Sequence, residues 1–215
     1  MVTPRAAIAH VRPGYVRPVA GSARTPPECA VGLRGASVGF MRYDKGMTEA
    51  LALAGQAGRA GEVPVGAVVL DASGVCIGRG RNRRETDDPL AHAEIEAIRQ
   101  ASRVVRVRSV GNGGAVAGGA ATGRASLWNL AGCTLIVTLE PCPMCAGAVV
   151  QTHMDRVVFG AWDEKLGACG SVWDIPRDPH IGHHPEVVGG LRADECSVLL
   201  SEFFRGRRSD RGPRL

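Results

Sequence analysis

One histidine and two cysteines, with the residues around them, constrain the fold of this chain more than any other feature of its sequence. His92-Ala-Glu94 is followed, 47 residues after Glu94, by Pro141-Cys142-Pro143-Met144-Cys145. Thiolate and imidazole are good ligands for Zn²⁺, and three protein ligands leave a fourth tetrahedral position for water, the catalytic rather than the structural arrangement. Cys142 and Cys145 stand one helical turn apart, so both sulfurs can face one ion. Pro141 suits a helix start, and His92 also opens a helix, so two helix N-termini could converge on one metal. A helix N-terminus lowers a thiol's pKa, which favours the thiolates that a metal needs. Two cysteinates already neutralise Zn²⁺, so Glu94 is better placed as a proton carrier than as a fourth ligand. A lone Cys-x-x-Cys could equally be a redox pair or half of a structural zinc site. The accompanying His-x-Glu and Thr138-Leu-Glu-Pro141 favour catalytic zinc.

The sequence around these residues alternates between strand and helix patterns. Met47 to Arg59 carries apolar groups at helical intervals, with Thr48 and Glu49 as N-cap and first-turn acid. Val65 to Leu70, the turn Asp71-Ala-Ser-Gly74 and Val75 to Gly78 predict a hairpin. Ala91 to Gln100 reads as helix, Cys133 to Thr138 as a buried strand, Cys142 to Thr152 as helix, Arg156 to Phe159 as strand and Leu191 to Arg208 as helix. This order implies an α/β sandwich whose strands are largely parallel after the hairpin. Residues 1–40, rich in Pro, Ala, Gly and Arg, sustain no period and read as a disordered basic extension, or as sequence upstream of a start at Met41 or Met47. Residues 41–215 then form the zinc-dependent domain. A Gly/Ala-rich run at about 101–126, with four arginines and no acid, reads as a flexible surface insertion.

Charge and cysteine content narrow the setting. The net charge is +5, which hints at a polyanionic partner. Residues 1–40 and 203–215 each carry five basic and one acidic residue, and 101–126 carries four basic and none, so each segment contributes +4 and the remainder is −7. No window holds the ~18 uninterrupted apolar residues that would cross a bilayer. Seven cysteines at irregular spacing fit a reducing, cytoplasmic setting. Cys29, Cys76, Cys133, Cys169 and Cys196 read as ordinary thiols.

His-x-Glu followed by Pro-Cys-x-x-Cys is the known signature of zinc-dependent nucleobase deaminases, here matched rather than derived. Further matching segments are Glu62-Val-Pro-Val-Gly-Ala67, Asn82-Arg83, Asp88 to Ile95, Val137 to Gly147, Arg156 to Ala161, Gly167-Ala-Cys-Gly-Ser171, Ala193-Asp-Glu-Cys196 and Phe203-Phe-Arg205. On these residues the chain resembles the bacterial tRNA-specific adenosine deaminases of the cytidine deaminase superfamily, from about Met47 to Arg208 apart from the insertion. The zinc motif alone marks only the superfamily, which includes guanine deaminases. Gly167 to Ser171, His183 before Glu186 and the terminal Phe-Phe-Arg look like the tRNA enzyme.

The resemblance implies a cytidine deaminase-like, three-layer α-β-α sandwich with a central mixed five-stranded sheet. It also implies a homodimer whose active sites are completed by the neighbouring subunit, with one Zn²⁺ per subunit. The implied reaction is hydrolytic deamination of the wobble adenosine in the anticodon of arginine tRNA to inosine, by zinc-bound hydroxide with Glu94 as proton shuttle. A loop base is already unpaired and enters a pocket at low cost. By the same resemblance His92, Cys142 and Cys145 bind zinc. Asn82, backbone groups around Ala93 and Glu140-Pro141, and His183 contact the substrate, while Arg205, Arg207 and Arg208 contact RNA. Phe203 and Phe204 pack the final helix or shape its RNA-facing surface. Gly182 stands where the family often has Asn, and neither the extension nor the insertion is a family feature. Alternatives are a guanine or other small-base or nucleoside deaminase and, from another class, a non-catalytic zinc-binding RNA module.

Overall fold

The structure, a computed structural model, describes residues 36–111 and 129–209. In chain order the elements are α1 (Ala36–Arg59), β1 (Gly66–Leu70), β2 (Cys76–Arg81), α2 (Ala93–Gly111), β3 (Thr134–Leu139), α3 (Pro143–Gln151), β4 (Arg156–Ala161), a 3₁₀ turn at Ile175–Arg177, β5 (Glu186–Val188) and α4 (Ala193–Ser209). The sheet order is β2-β1-β3-β4-β5. β1 is antiparallel to β2 and β3, whereas β3, β4 and β5 run parallel.

Strand alternation divides the core between two faces. Ala67, Val69, Leu135, Val137, Val157 and Phe159 face α2 and α3, where Ala93, Ala97, Ile98, Ala146 and Val149 meet them. Val68, Leu70, Ile136 and Val158 face α1 and α4 and pack with Met47, Ala50 and Cys196. Because both faces are covered, β1 is buried along its whole length. The result is the three-layer sandwich with a mixed five-stranded sheet. Gly78 and Gly80 on β2 let α2 approach closely, since a Cβ at either would strike the α2 backbone at Ala97 or Ala93. The helix that begins beside His92 therefore lies hard against β2.

Two expectations change, and the fifth strand, which only the resemblance implied, is located. First, α1 begins at Ala36, so Thr48 is not its N-cap. Its hydroxyl instead donates to the Asp44 carbonyl at 3.1 Å, inside the helix. Residues 36–40 are thus helical, and the rest of the expected N-terminal extension lies outside the described residues. Second, α2 does not stop at Gln100 but runs to Gly111. Ala101 is fully buried, Val104 and Val105 pack against the core, and Arg108 binds Asp71 at 2.9 Å. What read as the start of an insertion is the apolar stripe and charged face of an amphipathic helix. Residues 112–126 of that insertion lie outside the described residues. That strand, β5, is one that local pattern did not signal; three residues pairing at the sheet edge carry too little periodicity. Among the described residues all six cysteines are free thiols, and no helix is long and apolar enough to cross a membrane.

Candidate active site

His92 directly precedes α2, and its carbonyl accepts the Glu96 N–H at 3.0 Å, as an N-cap residue's does. Cys142 is the N-cap of α3, with extended backbone (φ −70°, ψ 171°) and Pro143 following. Its carbonyl accepts the Ala146 N–H at 2.9 Å. The two helix starts converge. His92 Nδ1 lies 3.7 Å from Cys142 Sγ and 3.6 Å from Cys145 Sγ, and the three ligand atoms fall within 4.8 Å of one another. Zn–N near 2.0–2.1 Å and Zn–S near 2.3 Å at a tetrahedral angle give an N···S edge of about 3.6 Å. The donor set and both N···S distances fit zinc.

The electrostatics of the cluster point the same way. The Cys142 thiol is drawn down to about 4, because its sulfur accepts hydrogen bonds from Cys145 and His92 against the cost of burial. Cys145 is pushed far up, first by donating to Cys142 and then by burial. His92 is raised by its hydrogen bond to Cys142. The shifts leave Cys145 protonated and favour a proton on His92, and a divalent cation, which needs deprotonated ligands, would displace such protons. Glu94, at the second position of α2, is 4% exposed. Burial, reinforced by the charge of Cys142, raises its carboxyl to about 7, while its own backbone N–H and His92 oppose the rise. A carboxyl that titrates near neutrality is matched to moving protons in both directions.

The substrate residues implied by resemblance are placed unevenly. Asn82, buried just past β2, donates its backbone N–H to the Val65 carbonyl at 3.0 Å. Ala93 is fully buried at the first position of α2, where a helix's own bonding leaves the N–H without a partner. The Pro141 carbonyl accepts the Ala168 N–H at 2.8 Å. The Glu140 side chain turns inward, accepting N–H groups from Asp163, Cys169 and Ser171 and the Ser171 hydroxyl. His183 lies away from the ligand cluster. Its ring stacks on His153 with centroids 4.9 Å apart and donates to the Met154 carbonyl at 2.6 Å. Both are beyond the C-terminal end of α3, whose nine residues span about 13 Å. Arg205 is exposed. Arg207 donates to the Gly61 carbonyl at 2.7 Å and covers the Phe203 ring at 4.8 Å, so it ties α4 to the turn after α1. The Arg208 side chain lies outside the described residues. Phe204 is 45% exposed and meets Phe203 edge-on.

Sequence reasoning gave no role to Glu62, which is completely buried. Its carboxylate accepts the Glu85 N–H at 3.0 Å, the Thr86 N–H at 3.0 Å and the Thr86 hydroxyl at 2.9 Å. Burial would raise this carboxyl, but the Glu85 and Thr86 donors prevail and hold it below the usual range. Glu62 thereby pins the loop that runs from Asn82 to His92. The only local signal was an acid set among Val63, Pro64 and Val65.

Residues 41–161 match the family described as the cytidine and deoxycytidylate deaminase zinc-binding region. A tRNA-specific adenosine deaminase from Bacillus subtilis is 40% identical over 163 residues, covering 75% of this chain and 88% of that protein. A tRNA(Ile)-lysidine synthase from Deinococcus radiodurans is 46% identical over 182 residues, 83% of this chain, but the chain spans only 28% of that protein's length. Among solved structures, one from a study of A-to-I editing by tRNA:A34 deaminases at the wobble position superposes with a TM-score of 0.59. Its identity is 38%, and the match covers 73% of this chain and 99% of that one.

Proposed function

From a chain that belongs to the zinc-binding cytidine and deoxycytidylate deaminase family, and within it to the tRNA-specific adenosine deaminases, we propose an enzyme that deaminates adenosine to inosine at the wobble position of arginine tRNA. The observation that carries this reading is the cluster of His92, Cys142 and Cys145 with the buried carboxyl of Glu94 beside it. A non-catalytic zinc module has no use for a proton carrier in that position. His92 Nδ1 and the two sulfurs would hold one Zn²⁺ per chain. When bound, zinc supplies Lewis acidity that brings a water molecule's pKa down toward neutrality.

Glu94 accepts a proton from the attacking water and delivers it to N1 of adenine as a C–O bond forms at C6. It then takes the remaining hydroxyl proton and passes it to the exocyclic amine. The C6–N bond breaks, ammonia leaves and inosine remains. Asn82 and the backbone around Ala93, Glu140 and Pro141 orient the base, and burial of Glu94 limits proton exchange with bulk water. The catalytic body acts in the cytoplasm as a homodimer. His183, distant from the ligand cluster of its own chain, and Arg205, Arg207 and Arg208 contact the anticodon stem-loop.

The test is incubation of the purified protein with arginine tRNA carrying a wobble adenosine, in parallel with guanine, cytidine and deoxycytidylate, measuring inosine and ammonia. Inosine forms in the tRNA. Rapid deamination of a free base with none of the tRNA overturns this reading in favour of a small-base deaminase.

A further inference from the structure

Glu140 is a buried acid without a part in the proton transfers above. It follows β3, two residues before Cys142, and is 2% exposed. Its Oε1 accepts the N–H groups of Cys169 at 2.9 Å and Ser171 at 3.0 Å. Its Oε2 accepts the Asp163 N–H at 3.1 Å and the Ser171 hydroxyl. Among the described residues it has no ion-pair partner. Burying a charge without a counter-ion is costly, and charge-assisted bonds to fixed donors are what offset it. Such donors also prescribe a geometry.

That geometry belongs to one strap. The donors come from both its ends, Asp163 and Ser171. Between them Ala168 N–H binds the Pro141 carbonyl at 2.8 Å, and Gly167 N–H binds the Asp163 carbonyl at 2.9 Å. Gly167 lacks the Cβ that would collide with the Glu140 carboxylate. The strap is therefore fastened to the two residues that lead into the Cys142 ligand. It buries Ala168 and Cys169, which belong to the same apolar cluster as Ala93, the residue before Glu94, and Ala146, the residue after Cys145.

We propose that Glu140 is a positioning residue. It holds the strap 163–171 as a fixed wall against the Glu140–Pro141 lead into the site, and it acts on the chemical step rather than on metal retention or tRNA affinity. This rests on the deaminase reading above. Displacing a reacting group by about 1 Å can cost on the order of 100-fold in rate, and a strap released from Glu140 no longer fixes the space in which Glu94 and the base meet.

The test compares the full-length wild type with Glu140→Gln, Glu140→Ala and Ser171→Ala. Zinc per chain, kcat and KM for wobble-adenosine tRNA, and amide hydrogen exchange over 163–171 are measured. Gln can keep acceptor bonds on one oxygen but turns its NH₂ toward the Asp163 N–H, donor facing donor. Ser171→Ala removes one donor only. Expected are full zinc content, little change in KM, faster exchange at Cys169 and Ser171, and kcat falling on the order of 10–100-fold in the order Ser171→Ala, Glu140→Gln, Glu140→Ala. Arg108→Ala, which loosens the far end of α2, should lose stability yet keep kcat. Unchanged kcat with accelerated exchange overturns the proposal. So does loss of zinc, or a rise in KM alone. If the wild type deaminates guanine and not tRNA, the tRNA reading fails, and Glu140 is judged by kcat on guanine; if it turns over nothing, both fall.

Discussion

At the scale of single residues, Glu94 offers a test that separates binding from chemistry. Glu94→Ala removes the proposed proton carrier and leaves His92, Cys142 and Cys145 in place. The variant should retain zinc by elemental analysis while its deamination rate falls by about 10²–10⁴-fold, the range usual for a general acid–base group. Cys142→Ser should instead lose both, because the ligand itself is gone. His92, Cys142 and Cys145, which the fold brings together, stood out in the sequence because the chemistry of a metal site admits few residue types. Glu62 and Glu140 did not, at least as side chains. A carboxylate that collects backbone N–H groups from a loop more than 20 residues away has no spacing rule and looks like any surface acid. His183 was singled out only by resemblance, and the fold sets it against His153 at the far end of α3 from the ligands, a place that suits the proposed contact with the anticodon stem-loop rather than with the reacting base.

Among the elements, α2 shows how composition can mislead and packing decide. Arginines and a following Gly-rich run suggested a loop from Ala101, yet Ala101, Val104 and Val105 lie on the stripe that continues Ala97 and Ile98 onto the sheet. Arg108 closes that helix onto the β1–β2 turn, where Asp71 also accepts the N–H groups of Ser73 and Val75, each at 3.0 Å. Burial would raise the Asp71 carboxyl, but Ser73, Arg108 and Val75 hold it below its ordinary 3.8. A depressed carboxylate stabilises the fold above its unfolded pKa and loses that contribution as pH falls through the folded one. Asp71→Asn should therefore cost about 1–2 kcal/mol at pH 7 by urea denaturation, and its deficit should shrink as the pH drops below about 4. Gly80→Ala tests the other end of the helix. The added methyl meets the α2 backbone at Ala93, and such overpacking costs about 1–3 kcal/mol. Because Glu94 is the next residue, the activity of the folded fraction should fall as well.

Over the whole molecule, the charge is divided in a way that composition concealed. The positive excess belongs to terminal and inserted segments around an acidic remainder, and part of it, Arg108, is neutralised by Asp71 within the fold. A chain lacking residues 1–35 should retain kcat on tRNA. Any lost affinity should appear in the slope of binding against salt, as expected for phosphate contacts; a large fall in kcat would make that segment part of the catalytic body. The sequence by itself picked out the three residues that the fold brings together as a metal-ligand cluster and the α/β class, because metal chemistry and alternating periodicity are local and leave few choices. Tertiary structure decided where α1 begins and α2 ends, which arginine serves the fold, and how two buried glutamates hold the loops around the site. Those outcomes depend on which backbone donors and apolar faces meet across the sheet, and residues far apart in the chain acquire such neighbours only when the layers pack.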